Sequence, residues 1–114
     1  MNFIGGTVNG AGVDAPGLKQ TVPADVALPS AGSGITLGLR PEHLEIDPTG
    51  DTHAVELTEA LGGVSYAYLT APTGEKLIVE ERGDYRSKTG ARVGLTIDPK
   101  RAYFFDANTE ARLR

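Results

Sequence analysis

The sequence predicts an all-β domain, a small barrel or sandwich of short strands with little helix. Three observations carry that expectation. Fifteen glycines and seven prolines punctuate the chain at intervals of roughly ten residues, the spacing of turns between short strands. Between them the apolar residues alternate with a period of two, which gives each segment one apolar face. The tetrapeptides Asp47-Pro48-Thr49-Gly50 and Ala71-Pro72-Thr73-Gly74 place proline second and glycine fourth, as type I turns prefer.

Taken in order, strands are expected near 3–8 and 18–22, separated by Ala15-Pro16-Gly17-Leu18, where glycine in third place suits the positive φ of a type II turn. Residues 23–33, with small side chains and two prolines, read as a mobile loop. Ile35, Leu37 and Leu39 then share one face against Thr36 and Gly38, and Pro41 holds the preceding Arg40 extended, so this strand feeds into a fixed corner. Val55, Leu57 and Leu61 predict an inner face opposed by Glu56, Thr58 and Ala60, with Glu59 as a polar intruder on the inner side. The tyrosine-rich segment 64–70 pairs with 76–80 as a hairpin across the Pro72 turn, and Val93, Leu95 and Ile97 alternate most cleanly. Asp98-Pro99 resembles a helix start, an oxygen-bearing cap followed by proline. Tyr103, Phe104 and Phe105 favour a strand over continuation of such a helix, and the tail 107–114 either extends it or frays. The two pairs Gly5-Gly6 and Gly62-Gly63 read as bends that a side chain would block.

Composition narrows the function. The 114 residues suit one domain, and 39% hydrophobic with 23% charged residues describes a globular protein. No apolar run approaches the ~18 residues of a membrane span. The first residues lack a basic region followed by an apolar stretch, so no export signal is expected, and the absence of cysteine suits a reducing cytoplasm. A net charge of −4 disfavours a nucleic-acid partner, because phosphate backbones reward Lys and Arg. The basic residues Arg82, Arg86 and Lys88 around Tyr85 alternate with Glu80, Glu81 and Asp84, which predicts a solvated mixed-charge face.

No constellation predicts catalysis, a cofactor or a metal. His43 and His53 lack further ligands at zinc spacing, and Glu42, Glu45, Asp47 and Asp51 lack the pattern of a calcium loop. Ser30, Ser33, Ser65 and Ser87 lie in no nucleophile elbow, and neither glycine pair has the lysine and hydroxyl of a nucleotide loop. Arg40-Pro41-Glu42-His43 is the densest polar element. Two roles are open to it: Arg40 and Glu42 tie the corner together, or the element meets a partner domain.

Leu37-Gly38-Leu39-Arg40-Pro41-Glu42-His43-Leu44 resembles the signature of the C-terminal regulatory, transport-associated OB domain in ATP-binding subunits of carbohydrate ABC importers of the maltose and glycerol-3-phosphate type. Met1-Asn2-Phe3 is similar to that family's junction after the nucleotide-binding domain, Glu59-Ala60-Leu61-Gly62 to its Glu-x-Leu-Gly strand end, and Pro99 with Phe105-Asp106 to its closing strand. Two places depart from the pattern: Tyr103 stands where histidine is common, and Gly63-Val64-Ser65 follows the Leu-Gly pair where a polar or acidic residue is frequent. The resemblance implies an OB-type barrel elaborated by extra strands on its C-terminal side. It also implies a tethering role at the cytoplasmic face of the membrane, without insertion into it. The partners would be a second copy of the subunit, the parent's ATPase domain and a regulatory protein. Arg40, Pro41, Glu42, His43, Glu59 and Gly62 become the expected corner or partner contacts. The ATPase motifs are not in this sequence, so an excised piece of a longer subunit is expected ahead of a stand-alone homologue. The rival reading is a free-standing OB-type domain that binds an oligonucleotide, an oligosaccharide or an oxyanion through Tyr66, Tyr68 and Tyr85 with Arg82 and Arg86.

Overall fold

The computed structural model describes residues 1–82 and 87–114. Asp84, Tyr85 and Arg86 of the mixed-charge cluster thus lie outside the described residues. Among the described residues, ten strands form two five-stranded antiparallel sheets of an OB-type all-β domain. The first sheet contains β1 (Asn2–Asn9), β2 (Gly12–Ala15), β3 (Gln20–Val22), β4 (Gly34–Leu39) and β10 (Tyr103–Asp106), in the order β10-β4-β1-β2-β3. The second contains β5 (Leu44–Asp47), β6 (His53–Ala60), β7 (Val64–Thr70), β8 (Lys76–Arg82) and β9 (Arg92–Ile97), in the order β5-β9-β6-β7-β8.

Both sheets turn their apolar sides to one core. Ile4, Val13, Val22, Ile35, Leu37 and Phe104 from the first meet Val55, Leu69, Leu77, Val79 and Val93 from the second. The alternation is regular in β7, where Ser65, Ala67 and Leu69 are buried while Tyr66, Tyr68 and Thr70 face outward. Burying each such aliphatic side chain contributes about 1.5–3 kcal/mol, which drives the sheets together.

Two buried side chains, Asn2 and His53, are among those that join the sheets with directed bonds. Asn2 Oδ1 accepts from the Ile78 N–H at 2.8 Å, while its Nδ2 donates to the Ile78 carbonyl at 2.8 Å and to the Leu39 carbonyl at 3.1 Å. A side-chain amide has the same donor and acceptor as a peptide group, so Asn2 supplies the strand partner that β8 lacks at Ile78. His53 is fully buried, with Nε2 2.7 Å from the Gly17 carbonyl and Nδ1 2.8 Å from Thr52 Oγ1. A carbonyl only accepts, so Nε2 carries the proton and Nδ1 accepts from the threonine.

Several expectations need correction. Residues 12–15 and 44–47 form strands that the turn pattern did not indicate. Gly17 does not occupy the left-handed region; Lys19 does, at φ 58°, with its N–H donating to the Pro16 carbonyl. A Cβ at position 17 would meet the tip of the flexible Glu75 side chain, which can move aside, and Ile4 Cγ2 at 3.3 Å. Of the glycine pairs, Gly6 is sterically required, a Cβ lying 2.5 Å from Val13 Cγ1, and Gly62 conformationally required at φ 81°; a Cβ at Gly63 meets nothing. Residues 23–33 form no strand, yet Ala24, Val26 and Leu28 pack on the core and Gly32 N–H donates to the Val8 carbonyl, so the loop is anchored. Asp98 does cap a helical start, accepting from Lys100 N–H, but only one 3-10 turn follows (Pro99–Arg101). The tail forms no helix; Arg112 bridges back to Phe105.

The largest correction lies in β6. A bulge shifts the register between Val55, opposite Leu69, and Leu57, opposite Tyr68. An extra residue reverses the alternation beyond it. Leu57 and Leu61 therefore point outward, 49% and 56% exposed, and Glu59 sits on the outer face rather than the inner one.

Candidate functional site

The corner after β4 is built by backbone. Arg40 is extended (φ −76°, ψ 142°), Pro41 opens a 3-10 turn (Pro41–His43), the His43 N–H donates to the Arg40 carbonyl at 3.0 Å, and Leu44 N–H to that of Pro41. Proline suits this first position because its missing N–H would have no partner in such a turn. No ion pair joins Arg40 to Glu42 among the described residues. Arg40 instead extends over the Tyr103 ring, 5.6 Å from its centroid, and Arg112 lies 4.6 Å from the same ring.

This places Arg40 on the outer face of the first sheet. Register sets Phe3, Gly38 and Tyr103 in one row across β1, β4 and β10. Gly38 leaves a gap that its neighbours fill: a Cβ there would lie 2.7 Å from Met1 Sδ and 3.0 Å from Phe105 Cε2. Phe3 and Phe105 meet edge to face across it at 6.2 Å. Phe3 is 60% exposed and Met1 50%. The result is an exposed apolar floor with two guanidinium groups stacked on its tyrosine, an arrangement well suited to contact.

Glu42 and His43 turn the other way, into a cleft of about 480 Å³ between β5 and β8 that Glu45, Glu80, Arg82 and Asp98 also line. Arg82 pairs with Glu80 at 3.0 Å, and Arg101 reaches Asp98 at 3.7 Å and His43 Nε2 at 3.2 Å. A guanidinium only donates, so His43 Nε2 accepts and Nδ1 carries the proton, buried and without a partner among the described residues. The Glu81 carboxylate beside the cleft is taken by the N–H and hydroxyl of Ser87 at 3.1 and 3.0 Å. Ser65 Oγ is buried with no partner among the described residues, so no base activates it there. Nor do the described residues gather three metal-ligating side chains.

Glu59 and Gly62 lie apart, on the β6–β7 hairpin. Glu59 faces Tyr66, which in turn faces Glu80 at the cleft wall. Gly62 alone of the loop pair has positive φ, as the first position of a type II′ turn requires. The six expected contact residues therefore fall into three places: Arg40 on the aromatic floor, Pro41, Glu42 and His43 at the corner and cleft, and Glu59 and Gly62 on the hairpin. On the hairpin the Tyr68 hydroxyl approaches Glu59 Oε1 at 3.4 Å, and the carboxylate charge, ahead of burial, raises the tyrosine above its ordinary range. Of the residues proposed for polyanion binding, Arg82 is paired and carboxylates stand beside Tyr66 and Tyr68, while Tyr85 and Arg86 lie outside the described residues.

Phe3, Tyr103, Phe105 and Arg112 are not among the contact residues expected from the sequence. Alternation about the buried Ile4 and Phe104 does set Phe3, Tyr103 and Phe105 outward, but only strand order unites them.

The chain is similar to known proteins along its whole length. A family model described as the TOBE domain matches residues 37–105, and one described as the MalK OB fold domain matches residues 1–44. The lactose transport ATP-binding protein LacK of Rhizobium radiobacter is 34% identical over 121 residues, covering 95% of this chain and 33% of that protein. The uncharacterized ABC transporter ATP-binding protein y4oS of Sinorhizobium fredii is 36% identical, over 99% of this chain and 31% of its own. The sn-glycerol-3-phosphate import ATP-binding protein UgpC of Chromohalobacter salexigens is 36% identical, over 94% and 30%. The chain thus spans about a third of the length of these relatives.

Proposed function

The chain belongs to the TOBE domain family, and from that premise we propose that it is the regulatory and dimer-tethering domain of the ATP-binding subunit of a carbohydrate importer. The names of its relatives, importers of lactose and of sn-glycerol-3-phosphate, support the setting. The observation that carries the tethering role is the outer face of β1, β4 and β10, where Phe3 and Met1 lie exposed beside Tyr103, Phe105, Arg40 and Arg112. An apolar floor rimmed by stacked guanidinium groups has the composition of a contact surface, in which aromatic residues and arginine dominate.

In this reading two copies meet through that face while their ATPase domains open and close. Holding the copies together turns each re-encounter into an intramolecular event, at an effective concentration of roughly millimolar for short linkers. A regulator would act by favouring one separation of the halves, which requires contacts that differ between the two states. The domain would work at the cytoplasmic side of the membrane; no helix among the described residues is long and apolar enough to cross it.

Sedimentation velocity across a concentration series tests the role. Self-association is expected, and Phe3→Asp should abolish it without loss of melting temperature because Phe3 is largely exposed. A chain that stays monomeric throughout, or a Phe3→Asp variant that still associates, would end the reading. The same chain should take up no ATP in a calorimetric titration, since the nucleotide site would belong to the parent's other domain.

A further inference from the structure

The outer face of β6 and β7 belongs to the second sheet, away from the tethering floor. Along β7 the side chains alternate without interruption, but β6 changes phase at its bulge. Leu57 and Leu61 have the parity of buried Val55 and would face the core in an unbroken strand; the bulge turns both to solvent. Glu59 stands between them on the same face, opposite Tyr66. Its carboxylate meets the Tyr68 hydroxyl at 3.4 Å and forms no salt bridge among the described residues. The neighbouring carboxylates are neutralised, Glu56 by Lys76 at 2.7 Å and Glu80 by Arg82 at 3.0 Å.

We propose that this face docks a basic amphipathic helix from a partner protein. The ladder Leu57, Glu59, Leu61 sets two apolar anchors about 13 Å apart, at ~3.3 Å per strand residue, with a carboxylate at the midpoint that has no salt-bridge partner among the described residues. A helix rises about 1.5 Å per residue, so apolar residues at i and i+8 lie about 12 Å apart on one side, with i+4 between them. Lysine or arginine at i+4 meets Glu59, and the half-buried rings of Tyr66 and Tyr68 form the floor beneath. Charge decides the sign of the partner: an acidic helix would set its carboxylates against Glu59 in a chain of net charge −4.

The probe is a labelled synthetic helix of leucine and lysine, with leucine at i and i+8 and lysine at i+4, read by fluorescence anisotropy against the whole chain. A matched peptide with glutamate for lysine serves as comparison. Saturable binding of the lysine peptide is expected, weakened about tenfold by Leu57→Ala and by Glu59→Lys, with Glu59→Gln intermediate. The control Asp25→Lys, the same charge change in the 23–33 loop, should leave it intact. Absence of binding, equal binding of the glutamate peptide, or equal weakening by Asp25→Lys would overturn the proposal. So would a change in sedimentation of the peptide-free chain on Leu57→Ala, which would assign the face to a second copy. The tethering face is probed by Phe3→Asp, so failure of either reading shows separately.

Discussion

Asn2 and His53 do more for this fold than their residue types suggest. Replacing the buried Asn2 with alanine strands the Ile78 N–H and carbonyl, which are part-buried, and removes a donor from the Leu39 carbonyl, which is buried. Buried polar groups left without partners cost about 1–3 kcal/mol each, so Asn2→Ala should lower the unfolding free energy by about 3 kcal/mol in urea titrations. His53 responds to pH. Burial, ahead of the opposing bond to Gly17, lowers its pKa. The unfolded chain therefore holds more protons near the ordinary value of about 6.5, and the stability that neutral His53 contributes is full above that pH and lost as pH falls below it. Melting temperature should drop between pH 7.5 and pH 5.5 in the native chain and much less in His53→Gln. Both residues were hard to see in the sequence: a lone asparagine near one end and a lone histidine before a strand carry no pattern, and only the packed sheets bring Ile78 and Gly17 to them.

Elements were more legible than residues. Period-two alternation located most of the strands, and the Asp47 and Ala71 turns close as expected, Gly50 N–H donating to Asp47 at 3.1 Å and Gly74 N–H to Ala71 at 2.9 Å. The first of these turns folds tightly onto β9, where a Cβ on Gly50 would collide with the Gly94 backbone. Backbone cannot rotate aside as a side chain does, so Gly50→Ala should cost about 2 kcal/mol or more. What the alternation missed has one cause in β6, since a bulge leaves no compositional trace yet inverts every assignment after it. Leu57 and Leu61 looked like core for that reason. Leu57→Ser should accordingly change stability by about 0.5 kcal/mol or less, whereas Leu69→Ala, in the true core, should cost about 2–5 kcal/mol, both measurable by thermal and urea unfolding. The short strands β2 and β5 escaped because neither carries the aromatic run that marks the equally short β10.

For the molecule as a whole, turn spacing and alternation sufficed for the fold class, and the Arg40-Pro41-Glu42-His43 element for the family resemblance. The surface was less readable. Arg40 and Glu42 adjoin in sequence, yet the strand directs one toward Tyr103 and the turn directs the other into the cleft, so a single polar motif serves two sides of the domain. Chain order also hides that β1 and β10, the first and last strands, flank the same neighbour β4, each antiparallel to it and hence parallel to each other. Opposed pulls at the first and last strands would load those ladders lengthwise, so their hydrogen bonds resist as a group instead of unzipping singly. Asn2, stitched to both sheets at the very point of traction, adds to that resistance. A domain wired in this manner would meet a lengthwise pull along β1 and β10 as one mechanical unit.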